Sequence, residues 1–262
     1  MKTRLDAELV RRGLARSREA ATDLIAAGNV LVSGMPASKA ATQVDAETSI
    51  TLKDDHAEFV SRGGHKLAGA LDKFTQIDVS GKTALDAGAS TGGFTDVLLK
   101  RGAEKVVAVD VGYGQLAWEL QKDIRVKILD RVNVRNLTPA QVGEEIDLVV
   151  ADLSFISLKL VLPALISVAK EGADFLVMVK PQFEVGKEKL GAGGVVRDVH
   201  LRKEAVVAVA DAAFALTLGT LGVVASPLPG PSGNVEYFLW LRKGAPALLE
   251  VDLDLAIEKG PA

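Results

Sequence analysis

The sequence predicts an α/β protein built on a doubly wound parallel sheet, with a small α+β module in front. Three observations predict it. From residue 83 onward, short apolar runs alternate with helical patterns, the rhythm of strands joined by crossover helices. The first run, Thr83 to Asp86, passes through a small-residue turn, Gly88 to Gly93, into an amphipathic segment, Phe94 to Leu99. Residues 1 to 60 lack that rhythm and carry a separate, charge-dense pattern.

In the first 60 residues, Leu5, Leu9 and Val10 fall on one helical face, and Gly13 stops that helix. Ser17 is a suitable N-cap for a second helix over 18–27, which Gly28 ends. Short strands are expected at 30–33 and 49–52. Gly63 and Gly64 break the structure at 61–66, read as a linker, so the expected domains are 1–60 and 67–262. A helix is expected from Lys66 to Phe74. Strands follow at 83–86, 106–110, 126–129, 146–151 and 174–179, with helices at 115–121, 158–170 and 199–217. The last two strands, near Val223 and over 235–241, are joined by 227–234, which is too short for a helical crossover. They should pair antiparallel, completing seven strands with one reversed at the edge.

Composition narrows the function classes. The chain has 262 residues, 48 % hydrophobic and 25 % charged, with a net charge of −3. Any nucleic-acid surface must therefore be local. The first 18 residues provide one, with six basic and two acidic residues (+4) around two helix ends. There is no cysteine, which excludes disulfides and every thiol-nucleophile mechanism and suits a reducing compartment. Three scattered histidines, His56, His65 and His200, do not predict a metal site. The N-terminus has no apolar signal core, so export is not expected. The apolar stretch from Ala205 to Val224 reads as a helix followed by a strand rather than a membrane span, because Asp211, Gly219 and Gly222 interrupt it.

The turn after the first strand is a ligand cradle in prospect, since its N–H groups and the following helix N-terminus can receive a polar group. Its glycines do not fit the dinucleotide pattern G-x-G-x-x-G. Asp86 stands directly before it, where a pyrophosphate would be repelled and an ammonium attracted. Asp110 closes the next strand at the distance where a ribose-holding carboxylate stands. Acid, small-residue turn and second acid fit S-adenosylmethionine better than NAD. The expected contacts are Asp86, Gly88, Ser90, Gly92, Phe94, Asp110, Asp130, Asn133 and Asp152. Lys180 after the fifth strand is unusual, because burying its charge is costly unless it is paired. Asp152 at the end of the fourth strand is the expected partner. No thiol is available for attack from a pyrimidine ring carbon.

Two resemblances extend this reading. The segment Arg4-Leu-Asp…Leu9-Val-Arg-Arg-Gly13…Ser17-Arg-Glu-Ala…Gly28-Asn-Val-Leu-Val-Ser-Gly34 resembles the RNA-binding module first seen in ribosomal protein S-four. That resemblance implies RNA held by Arg4, Arg11, Arg12, Arg16, Ser17 and Arg18, with Lys39 assisting. Lys66, Asp152, Lys180 and Glu236 resemble the Lys-Asp-Lys-Glu tetrad of ribose 2′-O-methyltransferases. Over its whole length the chain is similar to the TlyA family, through Ser61-Arg-Gly-Gly-His-Lys-Leu67, Asp86 to Thr95, Val179-Lys-Pro-Gln-Phe-Glu184 and Gly233-Asn-Val-Glu-Tyr237. That family is named for haemolysin but contains ribosomal-RNA 2′-O-methyltransferases that modify cytidines of 16S and 23S rRNA. The resemblance implies a class I S-adenosylmethionine-dependent methyltransferase fold, a cytoplasmic enzyme, and ribosomal RNA or ribosomal subunits as partners. Neither a membrane nor a metal is implied, and a monomer is expected because one chain can clamp RNA between two domains.

The chemistry fits those residues. A ribose hydroxyl is a poor nucleophile and must lose its proton as it attacks a sulfonium methyl; a lysine beside it can stabilise the developing alkoxide. Whether Lys180 also takes the proton is open, since burial and Lys66 favour the neutral amine while Asp152 and Glu236 favour the ammonium. Exocyclic-amine methylation is the nearest rival, but Asp152-Leu-Ser-Phe155 lacks the two prolines of that motif. A membrane-active haemolysin and a non-catalytic RNA-binding protein are the other classes.

Overall fold

The structure is a computed structural model describing residues 2–15, 17–26, 28–45, 48–52, 58–230 and 232–260. Arg16 and His56 lie outside the described residues. The chain divides into two compact units, Met1–Glu58 and Phe59–Ala262.

In the smaller unit, helices Leu5–Arg11 and Arg18–Ala26 face each other through Leu5, Leu9, Ala21 and Ile25. These pack on Val30, Val44 and Ile50 from short strands. Strand Val30–Val32 pairs antiparallel with both Met35–Pro36 and Ile50–Leu52, and Thr3–Arg4 pairs with Gln43–Val44. The pairings of Met35–Pro36 and of Thr3–Arg4 were not expected from sequence; two-residue strands are too short to show a period.

The larger unit is a seven-stranded sheet. Its strands are β1 (Thr83–Ala87), β2 (Lys105–Asp110), β3 (Val126–Asp130), β4 (Ile146–Ala151), β5 (Ala169–Val179), β6 (Leu218–Ala225) and β7 (Tyr237–Lys243). Their order is β6-β7-β5-β4-β1-β2-β3. All are parallel except β7, which runs antiparallel to both β5 and β6 and so lies one place in from the edge. Its longer helices are α1 (Arg62–Lys73), α2 (Gly93–Lys100), α3 (Leu158–Val168), α4 (Val199–Ala215) and α5 (Glu250–Glu258).

Strand periodicity sorts the core into two layers. Leu85, Val107, Val149, Phe175, Val177 and Leu239 join one layer with residues of α3, α4 and α5. Ala84, Val106, Leu148, Leu176 and Phe238 join the other with residues of α1 and α2. Both sheet faces are therefore covered, which is why the central strands read as unbroken apolar runs.

Two sequence expectations need correcting. Residues 61–66 are not a linker: Ser61 is the N-cap of α1, and 62–66 form its first turns. The two glycines do not break this helix because they are where it packs closely; a Cβ at Gly64 would collide with the Phe59 ring at 2.5 Å. The helix expected to reach Lys170 ends at Val168, and β5 begins at Ala169.

Candidate active site

The parallel strands deliver their carboxyl ends to one edge. The register aligns Ala87 with Ala151 and Val109, Ala151 with Val177, and Asp110 with Asp130. Because β7 is reversed, its start lies at that same edge, with Tyr237 opposite Val179. Glu236 thus comes beside the level of Lys180, and Asp86, Asp152, Lys180 and Glu236 all carry the even parity that faces α1 and α2.

Gly88 opens the turn with φ +89°, a conformation that side chains disfavour. A Cβ there would also stand 2.5 Å from the carbonyl oxygen of Asp152. Asp110 fixes the turn from the next strand, accepting hydrogen bonds from Ser90 N at 2.8 Å and Gly112 N at 2.7 Å. Asp130 accepts from Gly114 N at 2.9 Å, and Asn133 accepts from Arg135 N at 3.0 Å. Asp86 is fully buried beneath the turn. One of its oxygens accepts from Thr95 Oγ1 at 2.7 Å; the other, Oδ1, has no hydrogen-bond partner. Burial, with lesser contributions from Asp152 and Asp110, raises the Asp86 pKa to about 7 against the opposing Thr95 hydrogen bond.

Two ion pairs complete the site. Lys180 Nζ lies 2.6 Å from Asp152 Oδ1 and donates to Ser154 Oγ at 3.0 Å. Lys66 Nζ, from α1, donates to Glu236 Oε2 at 2.5 Å, with both side chains buried. A pocket opens above them, walled by Ser61, Arg62, Gly63 and Lys66 of α1 and its cap, Gly88–Thr91, Gly93 and Phe94 of the turn, Asp152, Ser154, Lys180, and Pro229. Of the expected site residues, Lys66, Asp152, Lys180, Gly88, Ser90 and Phe94 meet in that wall. Glu236 stands behind Lys66, and Asp86 lies under the turn. Gly92 is also behind the turn, where a side chain would strike Leu116 and Leu120. Asp110, Asp130 and Asn133 lie outside the pocket wall. Ser154, Thr95 and Ser61 went unnoticed as site residues in the sequence; serines and threonines at strand and helix ends are too common to stand out.

The small unit changes the meaning of its arginines. Arg4 and Arg18 both bind buried Asp6, at 3.0 and 2.8 Å. Arg11 and Arg12 both bind buried Glu8, at 2.5 and 2.7 Å. These arginines hold the Asp6 carboxyl far below its usual range, Arg4 above all, and pull Glu8 to about 2. Arg12 also donates to the carbonyls of Thr48 (2.8 Å) and Asp45 (3.0 Å), and its side chain is 21 % exposed against 61 % for Arg11 and 60 % for Arg18. Arg12 is thus turned inward, tying the first helix to Asp45 and Thr48, whereas Arg4, Arg11 and Arg18 reach the surface. Ser17 and Lys39 are exposed.

A doubly wound sheet with β7 reversed, a small-residue turn after β1 and two lysine–carboxylate pairs, Lys180 from the end of β5 and Lys66 from α1, define a Rossmann-like methyltransferase architecture. Comparison with known proteins agrees. The FtsJ-like methyltransferase family matches residues 59–243, and the S4 domain family matches residues 3–50. A Mycobacterium tuberculosis protein named 16S/23S rRNA (cytidine-2′-O)-methyltransferase TlyA is 58 % identical over 99 % of both chains. Brachyspira hyodysenteriae Hemolysin A is 36 % identical, over 89 % of this chain and 97 % of its own. A solved structure from Streptococcus thermophilus, given a provisional hemolysin designation, superimposes with a TM-score of 0.79 at 35 % identity, covering 98 % of this chain and 95 % of that one. The chain belongs to the FtsJ-like methyltransferases and, within them, to the TlyA family. Among the described residues no helix is long and apolar enough to cross a membrane; Ala205 to Val224 divides between α4 and β6.

Proposed function

We propose that this protein methylates the ribose 2′-hydroxyl of cytidines in ribosomal RNA, in the cytoplasm, using S-adenosylmethionine. The observation that carries the proposal is the meeting of Lys180–Asp152 and Lys66 in one pocket wall with the Gly88–Phe94 turn. The nucleobase and the ribosomal substrate are carried over from the name of the M. tuberculosis relative.

The residues fit the methyl donor. Asp86 offers a buried carboxyl with an unpartnered oxygen next to the turn, suited to an ammonium. The turn is closed to side chains at Gly88 and lined by backbone, and in this reading Asp110 and Asp130, at the ends of β2 and β3, accept from the donor's ribose hydroxyls and adenine amine. When bound, S-adenosylmethionine supplies an electrophilic methyl group. The protein's own contribution is to place the hydroxyl in line and to manage its proton. Lys180, steered by Asp152 and Ser154, presents its Nζ to the hydroxyl oxygen: as an ammonium it stabilises the developing negative charge while the proton leaves to water, and as a neutral amine it takes the proton itself. Lys66, held by Glu236, adds a second positive charge in the same wall. Holding both reactants in one geometry supplies much of the remaining acceleration.

The small unit is the RNA anchor in this reading, with Arg4, Arg11 and Arg18 toward phosphates, Ser17 and Lys39 beside them, and Arg16 as a further candidate. The chain acts as a monomer in this reading. Transfer of labelled methyl from S-adenosylmethionine to isolated ribosomal subunits tests the proposal; wild-type protein should label them, and Lys180→Ala should do so ~10²–10⁴-fold more slowly. Absence of labelling by the wild type would refute it.

A further inference from the structure

Lys180 and Asp152 sit on different loops, one after β5 and one after β4, and their 2.6 Å contact depends on how those loops are held together. Glu184 lies four residues past Lys180, at the end of the short helix Pro181–Glu184. Its side chain is 1 % exposed. One carboxylate oxygen accepts from Ser157 Oγ at 2.5 Å and the other from Leu158 N at 2.8 Å, while Lys159 Nζ stands 4.0 Å away. Ser157 and Leu158 are the cap and first residue of α3, five residues beyond Asp152. Phe155 and Phe183 pack across the same two loops with ring centroids 5.2 Å apart.

Capping α3 does not require this arrangement. Ser157 already accepts from Lys159 N at 3.3 Å, as a local N-cap does. Glu184 adds a bond from another loop, and burying its carboxylate is unfavourable; burial pushes its pKa up, against the pull of Ser157, Leu158 N and Lys159. A buried carboxylate bound through both oxygens to one helix start leaves its own loop little freedom.

Building on the methyltransfer reading above, we propose that Glu184 is a positioning residue that locks the loop carrying Lys180 onto the loop carrying Asp152. It stands outside the pocket wall. Glu184→Ala frees Lys180 to drift from the hydroxyl, and a displacement of about 1 Å at a reacting group costs on the order of 10²-fold in rate. Glu184→Gln keeps an acceptor for Leu158 N and can donate to Ser157 Oγ, so it recovers most of the loss.

The test is single-turnover methyl transfer to ribosomal subunits by the full-length chain, with donor affinity measured by calorimetry. Glu184→Ala should lower the rate by about 10²-fold with donor affinity within about twofold of wild type, and Glu184→Gln should restore it. Introduced into a Lys180→Ala background, Glu184→Ala should cost little more, because the residue it positions is gone. A wild-type rate in Glu184→Ala, or an equal loss in both backgrounds, overturns the proposal. If Glu184→Ala does not fold, Ser157→Ala removes one of the two donors, with an expected loss of about tenfold that again vanishes in the Lys180→Ala background; an equal loss in both backgrounds overturns it. Failure of the methyltransfer reading would appear differently, as no transfer by the wild type, and would take this inference with it.

Discussion

Asp86→Asn should change how stability depends on pH, by an amount the structure sets. The carboxyl is fully buried, and burial before all else raises its pKa from the ordinary 3.8 to about 7. A group whose folded pKa lies above its unfolded one binds its proton more tightly when folded. Its contribution to stability is therefore fully present below about pH 4 and is lost as pH rises through 7. At about 1.4 kcal/mol per pH unit, that gap corresponds to roughly 4 kcal/mol. Asparagine carries no such proton and still offers an acceptor to Thr95. The stability difference between the two proteins should thus shift by on the order of 4 kcal/mol between pH 4 and pH 8, toward the Asn variant at high pH. The offset at any one pH depends on where the new amide N–H finds a partner; the slope does not. Urea unfolding of both ligand-free proteins across that range measures it. A difference that stays flat with pH would refute the account of this carboxyl.

Other consequences are as specific. S-adenosylmethionine affinity should rise with pH through 7 in the wild type, with proton release on binding, as an ammonium favours the ionised Asp86; calorimetry in buffers of different ionisation enthalpy reads the released proton, and none is expected from Asp86→Asn. Asp110→Ala should weaken donor binding by ~1–3 kcal/mol through the lost charge-assisted bonds and the freed turn at Ser90, and unchanged affinity would sink its placement. Lys180→Ala should lower turnover by ~10²–10⁴-fold with donor and RNA affinities kept; substantial activity in Lys180→Arg would mark a fixed cation rather than a proton acceptor. Replacing Arg11 and Arg18 with Ala should weaken RNA binding and flatten its salt dependence, whereas Arg12→Ala should chiefly lower the melting temperature of the small unit.

Much of the architecture was legible because the sheet is buried on both faces. Runs such as Val106-Val-Ala-Val and Leu148-Val-Val-Ala have no polar side to obscure them, and the short 227–234 connection announced an antiparallel final pair. The Lys180–Asp152 pair could be read from residues alone, since an amine after one strand needs an acid on its neighbour. Lys66 and Glu236 could not: they are 170 positions apart, and only the family resemblance joined them. The helix Glu250–Glu258 escaped notice because acidic residues interrupt its apolar positions, and α1 began earlier than expected because Gly63 and Gly64 serve close packing. Arg12 looked like its basic neighbours; only the fold shows its guanidinium spanning Glu8 and two carbonyls. Glu184 showed only as the last residue of the Val179–Glu184 motif, and its role could not be read because its partners belong to a loop that tertiary packing brings to it.

The atom that receives the methyl group distinguishes ribose from base methylation. Ribosomal subunits incubated with the wild-type protein and S-adenosylmethionine can be digested to nucleosides and resolved by mass spectrometry. The expected product is 2′-O-methylcytidine, formed ~10²–10⁴-fold more slowly when Lys180→Ala replaces the wild type. A methyl group carried on the base would contradict it.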